Sequence, residues 1–291
     1  MNYNITHRTL YEYAAPVTVS QHVTRLEPRT QGSQECERFS LKIFPEPTLH
    51  KSRQDYFGNR ICFFTIQEIH NQLEIIAHSR VTVAARELPA AASTPPWQQV
   101  VNLFRDPVSP EVVDPYQFVF DSPQVRASFE LADYALASFS GEMPLLEGVA
   151  DLTRRIYTDF TFDATATTVA TPLEEVWRNR RGVCQDFAHL GIACLRSLGL
   201  PARYVSGYLR THPPAGQPRL VGADASHAWF RVFCPGLGWV DFDPTNNVQP
   251  TEEHIIVAYG RDFDDVSPVA GILTGGGEHH VRVSVDVEEI S

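Results

Sequence analysis

Arg180-Arg181-Gly182-Val183-Cys184-Gln185-Asp186-Phe187-Ala188-His189-Leu190 places a cysteine where a glycine turn gives way to an apolar run. The run predicts a helix from Cys184 to about Leu198, stopped by Gly199 and Pro201. A thiol at the first turn of a helix sits in partial positive charge, which favours its thiolate form. Two later segments supply what such a thiol needs. Asp224-Ala225-Ser226-His227-Ala228-Trp229-Phe230-Arg231-Val232-Phe233 puts a histidine into an apolar strand, where an unpartnered imidazole is costly to bury. Gly238-Trp239-Val240-Asp241-Phe242-Asp243-Pro244-Thr245-Asn246 ends the next strand on carboxylates. Thiol, imidazole and carboxylate in this order form a relay in which the acid fixes the imidazole's tautomer and the imidazole activates the sulfur. Asp241 and Asp243 fall on one side of a strand with period 2, so position alone does not choose between them.

Other candidates have blander readings. Cys194, inside Gly191-Ile192-Ala193-Cys194-Leu195, reads as a small core hydrophobe. His189, five positions beyond Cys184, turns off the cysteine's face and reads as a core or supporting histidine. Asp186 suits the helix start. His279 and His280 lack a carboxylate at metal spacing, and the acidic run Asp262, Asp264, Asp265 lacks an oxygen-ligand loop with its closing Glu, so no metal is expected. The backbone N–H of Cys184 is the natural first donor to an oxyanion, with Gln185, Trp177 and Tyr157 open as the second. Trp229 and Trp239 read as walls of a cleft.

These three motifs, in this order, resemble the transglutaminase-like superfamily, specifically its bacterial members described as cysteine proteases. The likeness extends to His7-Arg8-Thr9-Leu10-Tyr11-Glu12-Tyr13-Ala14-Ala15-Pro16-Val17 and Leu26-Glu27-Pro28-Arg29, and to His254-Ile255-Ile256-Val257-Ala258-Tyr259-Gly260-Arg261-Asp262-Phe263-Asp264-Asp265-Val266 with the final Val-rich strand. The resemblance implies Cys184 as nucleophile, His227 as base and Asp243, with Asp241 as fallback, as the orienting acid. It implies no organic cofactor. It leaves three outcomes: hydrolysis of a peptide or isopeptide amide, which is the preferred expectation, aminolysis of the same thioester, or a binding module that keeps only the fold.

Composition fits an ordinary globular protein: 291 residues, 43% hydrophobic and 20% charged. Net charge is −11 with no basic face, which argues against nucleic acid as a partner and leaves a peptide or protein amide as the expected substrate. The start reads without a signal segment and no apolar run approaches membrane-spanning length, so no membrane association is expected. Five cysteines without zinc spacing read as neither a disulfide framework nor a structural metal site, and a reducing cytoplasm suits a reactive Cys184.

Length points to two units. Residues 1–90 read as an antiparallel β domain: Phe39, Leu41 and Ile43 alternate with polar residues, as do Leu73, Ile75, Ala77, Val81 and Val83, with turns expected at 57–60 and 70–72. The Ala/Pro-crowded stretch 86–98 reads as a linker. The region 98–291 reads as a catalytic core with a C-terminal strand tail. Its expected helices begin at Ser122-Pro123, run through Leu145, Val149, Leu152 and Ile156, and open at a Thr171-Pro172 capping box before the Cys184 helix. The expected fold is therefore α+β: a β-sandwich-like domain, then a papain-like transglutaminase core with the cysteine helix packed on an antiparallel sheet.

Overall fold

The computed structural model describes residues 1–105, 109–211 and 225–290. Five strands come first: β1 (Asn2–Thr24), β2 (Gln34–Phe44), β3 (Leu49–Gln54), β4 (Arg60–Ile66) and β5 (His70–Val83). In β1, Tyr3, Ile5, His7 and Thr9 are buried while the residues between them are not, the period-2 pattern of a sheet with one face on a core. His70-Asn71-Gln72, expected as a turn, opens β5 instead.

Helices α1 (Trp97–Arg105), α2 (Pro110–Tyr116), α3 (Phe129–Leu136) and α4 (Leu145–Asp159) follow. Helix α1 begins inside the stretch read as linker. The Ser122-Pro123 start is displaced: Ser122 and Val125 close a tight turn, and Ser128 is the true cap of α3, its hydroxyl accepting from the Leu131 N–H at 3.2 Å. The α4 stripe of Leu145, Val149, Leu152 and Ile156 is fully buried. Next come β6 (Thr161–Phe162), α5 (Leu173–Asn179), β7 (Arg181–Gly182) and α6 (Cys184–Ser197). Thr171 does not cap α5; its hydroxyl accepts from the Thr168 N–H. Every residue of α6 from Gln185 to Arg196 is buried, so the helix is enclosed on all sides rather than amphipathic. Gly191 permits its closest approach, since a Cβ there would lie 2.5 Å from the Phe230 ring.

The chain continues through β8 (Ala202–Leu209), β9 (Ala225–Cys234), β10 (Gly238–Phe242), β11 (His254–Gly260), α7 (Phe263–Val266), β12 (Val269–Gly275) and β13 (His279–Ile290). Two sheets organise the molecule. One is the antiparallel order β10-β9-β8-β11, against which α6 packs. The other has the order β2-β5-β1-β4-β3, and both tail strands join it on β1. The first half of β1 runs between β5 and β13, and the second half between β4 and β12. The register with β5 slips between Glu12 and Val17, around Pro16, whose missing N–H suits a break in the ladder.

One apolar core spans both sheets, from Tyr3, Ile5, Val285 and Val287 to Phe187, Phe230 and Ile255. The edge strand β11 is fastened to the β2-β5-β1-β4-β3 sheet by two side-chain amides, from Gln34 of β2 and from Asn59 just before β4. Gln34 Nε2 donates to the Ile256 carbonyl (2.8 Å) while its Oε1 accepts from the Ile256 N–H (2.7 Å). Asn59 does the same for Tyr259, at 2.7 and 2.8 Å. Each amide stands in for a missing neighbour strand. Among the described residues no helix is long and apolar enough to cross a membrane.

Candidate active site

Arg180 adopts a left-handed conformation (φ 54°) that ends α5, and Gly182 then lets the chain turn into α6. A Cβ on Gly182 would lie 2.5 Å from the Asp186 carboxylate, so the turn needs a residue without one. Asp186 Oδ2 accepts from the Val183 N–H (2.8 Å) and the Thr167 hydroxyl (2.6 Å), which caps the helix and fixes Cys184 as its first residue. Burial raises the Asp186 carboxyl against these bonds, which hold it down. Cys184 and Cys36 are partly exposed and the other three thiols are buried. Burial pushes Cys36 and Cys234 up to about 11, Cys194 to about 12, and Cys62 in the same direction.

His227 lies in β9, opposite Gly207 of β8. Its Nε2–H donates to Asp243 Oδ2 at 2.7 Å, which leaves Nδ1 as the nitrogen for the thiol of Cys184, to which the ring is also hydrogen-bonded. Burial alone would lower the His227 pKa. Its bonds to Asp243 and Cys184, and their charges, outweigh burial and raise it to about 10. These contacts favour the protonated ring, an imidazolium between a carboxylate and a sulfur. Asp224, which opens this motif in the sequence, is outside the described residues.

Asp243 follows β10 and is fully buried. Its Oδ1 accepts from the N–H groups of Thr245 (2.9 Å) and Asn246 (3.2 Å), the local turn that Asp-Pro-Thr-Asn favours. Its Oδ2 takes His227, Asn246 Nδ2 (2.7 Å) and His254 Nε2 (3.1 Å). Burial works to raise this carboxyl, but the bonds from His227, His254 and Asn246 hold it well below the usual carboxylate range. Asp241 belongs to another set: Arg86 at 2.9 Å, Arg231 at 3.1 Å and the Trp229 indole N–H at 2.8 Å. Trp229 is thus fully buried beneath the site and holds Asp241, rather than forming an open wall.

The sequence reading gave no role to His254 or Asn246. His254 carries the same signal as His227, an imidazole in an apolar strand, and its ring packs 5.2 Å from Trp229 and 5.9 Å from His227. His227, Asp243 and His254 also have the geometry of a buried three-ligand cluster. Nε2 of each ring already serves Asp243 as a hydrogen-bond partner, which accounts for the arrangement without an ion.

His189 is turned from the thiol: its Nε2 accepts from the Phe263 N–H at 3.1 Å, and burial lowers its pKa to about 4, keeping it neutral. Asp262 caps α7 and also accepts from the Gln124 N–H, while Asp265 pairs with Arg261. Of the side chains considered as second oxyanion donor, Trp177 stacks under Arg180 at 3.8 Å among Tyr134 and Phe160, and Gln185 Nε2 donates to the Val169 carbonyl at 3.4 Å. Tyr204, not considered from sequence, lies close enough to Cys184 for the sulfur's charge to reinforce what burial begins, raising the phenol well above its ordinary value.

Residues 3–82 match the family described as the bacterial transglutaminase-like N-terminal region, and residues 133–244 match the transglutaminase-like superfamily. The chain is 40% identical over 290 residues to an uncharacterized protein of Mycobacterium tuberculosis, covering 98% of this chain and 92% of that one. A protein-glutamine gamma-glutamyltransferase of Pseudomonas aeruginosa is 40% identical over 72 residues, 24% of this chain and 11% of that protein. The fold is similar to the crystal structure of a "putative cysteine protease" from Cytophaga hutchinsonii, with TM-score 0.74 and 22% identity over 100% of this chain and 92% of that one.

Proposed function

The chain belongs to the transglutaminase-like superfamily, and on that premise we propose that it is a cysteine-dependent acyl-transfer enzyme that hydrolyses peptide or isopeptide amides through a thioester. The observation that carries this reading is His227, bonded on one side to Asp243 and on the other to Cys184 at the start of α6. The Cys184 sulfur attacks the amide carbonyl, and the first-turn N–H groups of α6 receive the developing oxyanion. The His227 imidazolium gives its proton to the departing amine, leaving an acyl group on sulfur. Asp243 is the positioning carboxylate: it holds the ring's orientation and balances its charge. Water, deprotonated by the now neutral His227, then attacks the thioester and releases the acid.

Aminolysis by a lysine-like amine is the second reading, supported by the likeness to the Pseudomonas glutamyltransferase. Both readings share the thioester, so one experiment separates them. The full chain is incubated with peptides and glutamine-containing substrates, with and without excess primary amine, and the products are weighed. Cleavage or deamidation of substrate that is lost in Cys184→Ala is the expected outcome. Amine incorporation far above hydrolysis would make the chain a transamidase, and no adduct on Cys184 with any amide would leave a binding module.

A further inference from the structure

The β10-β9-β8-β11 sheet bears a cavity of about 300 Å³ lined by Trp229, Arg231, Asp241 and His254 and bordered by residues 31–34 and Arg86. We propose that this cavity is a binding site for a small oxyanion, the carboxylate or phosphate group of a small molecule, held by Arg231 and Arg86 beside His254.

One buried donor of its lining is left without a hydrogen-bond partner among the described residues, the Nε–H of Arg231. Arg231 is only 8% exposed, so bulk water does not serve it. Arg231 uses its other nitrogens on the Tyr259 hydroxyl, the Trp239 carbonyl and Asp241, which fixes the guanidinium and leaves its Nε–H edge as a preformed donor. Charge points the same way. Arg86 and Arg231 line the cavity against one carboxylate, Asp241. Arg203 packs behind them between the rings of Trp239 and Tyr259, at 4.1 and 3.9 Å, with its pKa driven down to about 9 by burial and then by Arg231. A buried excess of guanidinium is relieved by an anion and not by a neutral molecule. The His254 ring joins this cavity to Asp243, so a bound anion would touch a side chain that positions the catalytic carboxylate. Binding does not depend on the acyl-transfer reading, and a Cys184→Ala chain should bind equally.

The test titrates the full chain, at constant ionic strength in chloride, with inorganic phosphate, sulfate and succinate. The readouts are tryptophan fluorescence, since Trp229 and Trp239 line the cavity, and the thermal midpoint. At least one anion should give a saturable response below about 10 mM, weakened about tenfold or more by Arg231→Lys, which keeps the charge and removes the Nε–H. Thr251→Trp, at an exposed position of the lining, should abolish the response by filling the cavity, and it tests the site even if the arginine variant does not fold. A response to succinate alone identifies a carboxylate ligand, and one to phosphate or sulfate alone a tetrahedral anion. No saturable response to any of the three, or one unchanged in folded Thr251→Trp, overturns the site.

Discussion

Asp241 and Asp243 are two residues apart, equally buried, and occupied with different partners. Asp243→Ala removes the anchor of the His227 ring and the acceptor of His254 and Asn246, so beyond any loss of stability its folded fraction should turn over on the order of 10⁴-fold more slowly. Asp241→Ala strands Arg231 and frees Arg86, and should instead lower stability by about 3–5 kcal/mol. Comparing urea midpoints with Cys184 alkylation in the two variants checks this; a greater loss of reactivity for folded Asp241→Ala would exchange the roles. The imidazolium sets the pH dependence. His227 moves from 6.5 to about 10 on folding, so the folded state binds its proton more tightly. Its contribution to stability is therefore complete below about pH 6.5 and is lost as pH rises through about 10. The depressed Asp243 describes the same pair and is not counted again. Because the leaving amine needs that proton, turnover should hold through neutral pH and decline as pH approaches about 10, while alkylation of the sulfur does not decline with it. A fall in turnover already at pH 7 would place the proton elsewhere.

At the scale of elements, the site depends on how deeply α6 is enclosed. A helix with water on one face would tolerate a changed residue there, but α6 has no exposed turn between Gln185 and Arg196. Gly191 is where it meets β9, and the Cβ of Gly191→Ala would require the Phe230 ring to shift. The variant should be less stable by about 1–3 kcal/mol, measured by urea unfolding, and Cys184 labelling in the folded fraction should be slower because the helix start moves relative to His227. Unchanged stability would mean that the ring can yield without disturbing the strand.

At the scale of the whole molecule, first and last strands share one sheet, and that sheet holds the edge of the other. Asn59 is fully buried and satisfies both backbone groups of Tyr259, so Asn59→Ala should cost about 1–3 kcal/mol, far more than an exposed Asn. A calorimetric midpoint equal to the parent's would show that water replaces the amide. A fragment beginning at residue 98 keeps Cys184, His227 and Asp243 but leaves β12 and β13 without β1, and Asp241 without Arg86. We expect such a fragment to aggregate or stay unfolded by circular dichroism; a folded fragment whose Cys184 alkylates at the parent rate would show that the core needs no first sheet.

The local signals in the sequence place most elements. The glycine turn before Cys184, the run from Phe187 to Leu195 and the alternation along β2 and β5 define helix and strands because periodicity is a property of neighbouring residues. The order of thiol, imidazole and carboxylate was legible for the same reason. Caps were less so: Ser122 and Thr171 have the chemistry of a cap, but Ser128 and Asp186 have the geometry. What the sequence left open were choices between chemically equal partners. Asp243 rather than Asp241 faces His227, His254 supports it, and the tail returns to β1, each because residues far apart in the chain compete for the same buried hydrogen bonds. Only the packed tertiary structure, where a polar group left unpaired is expensive, decides that competition.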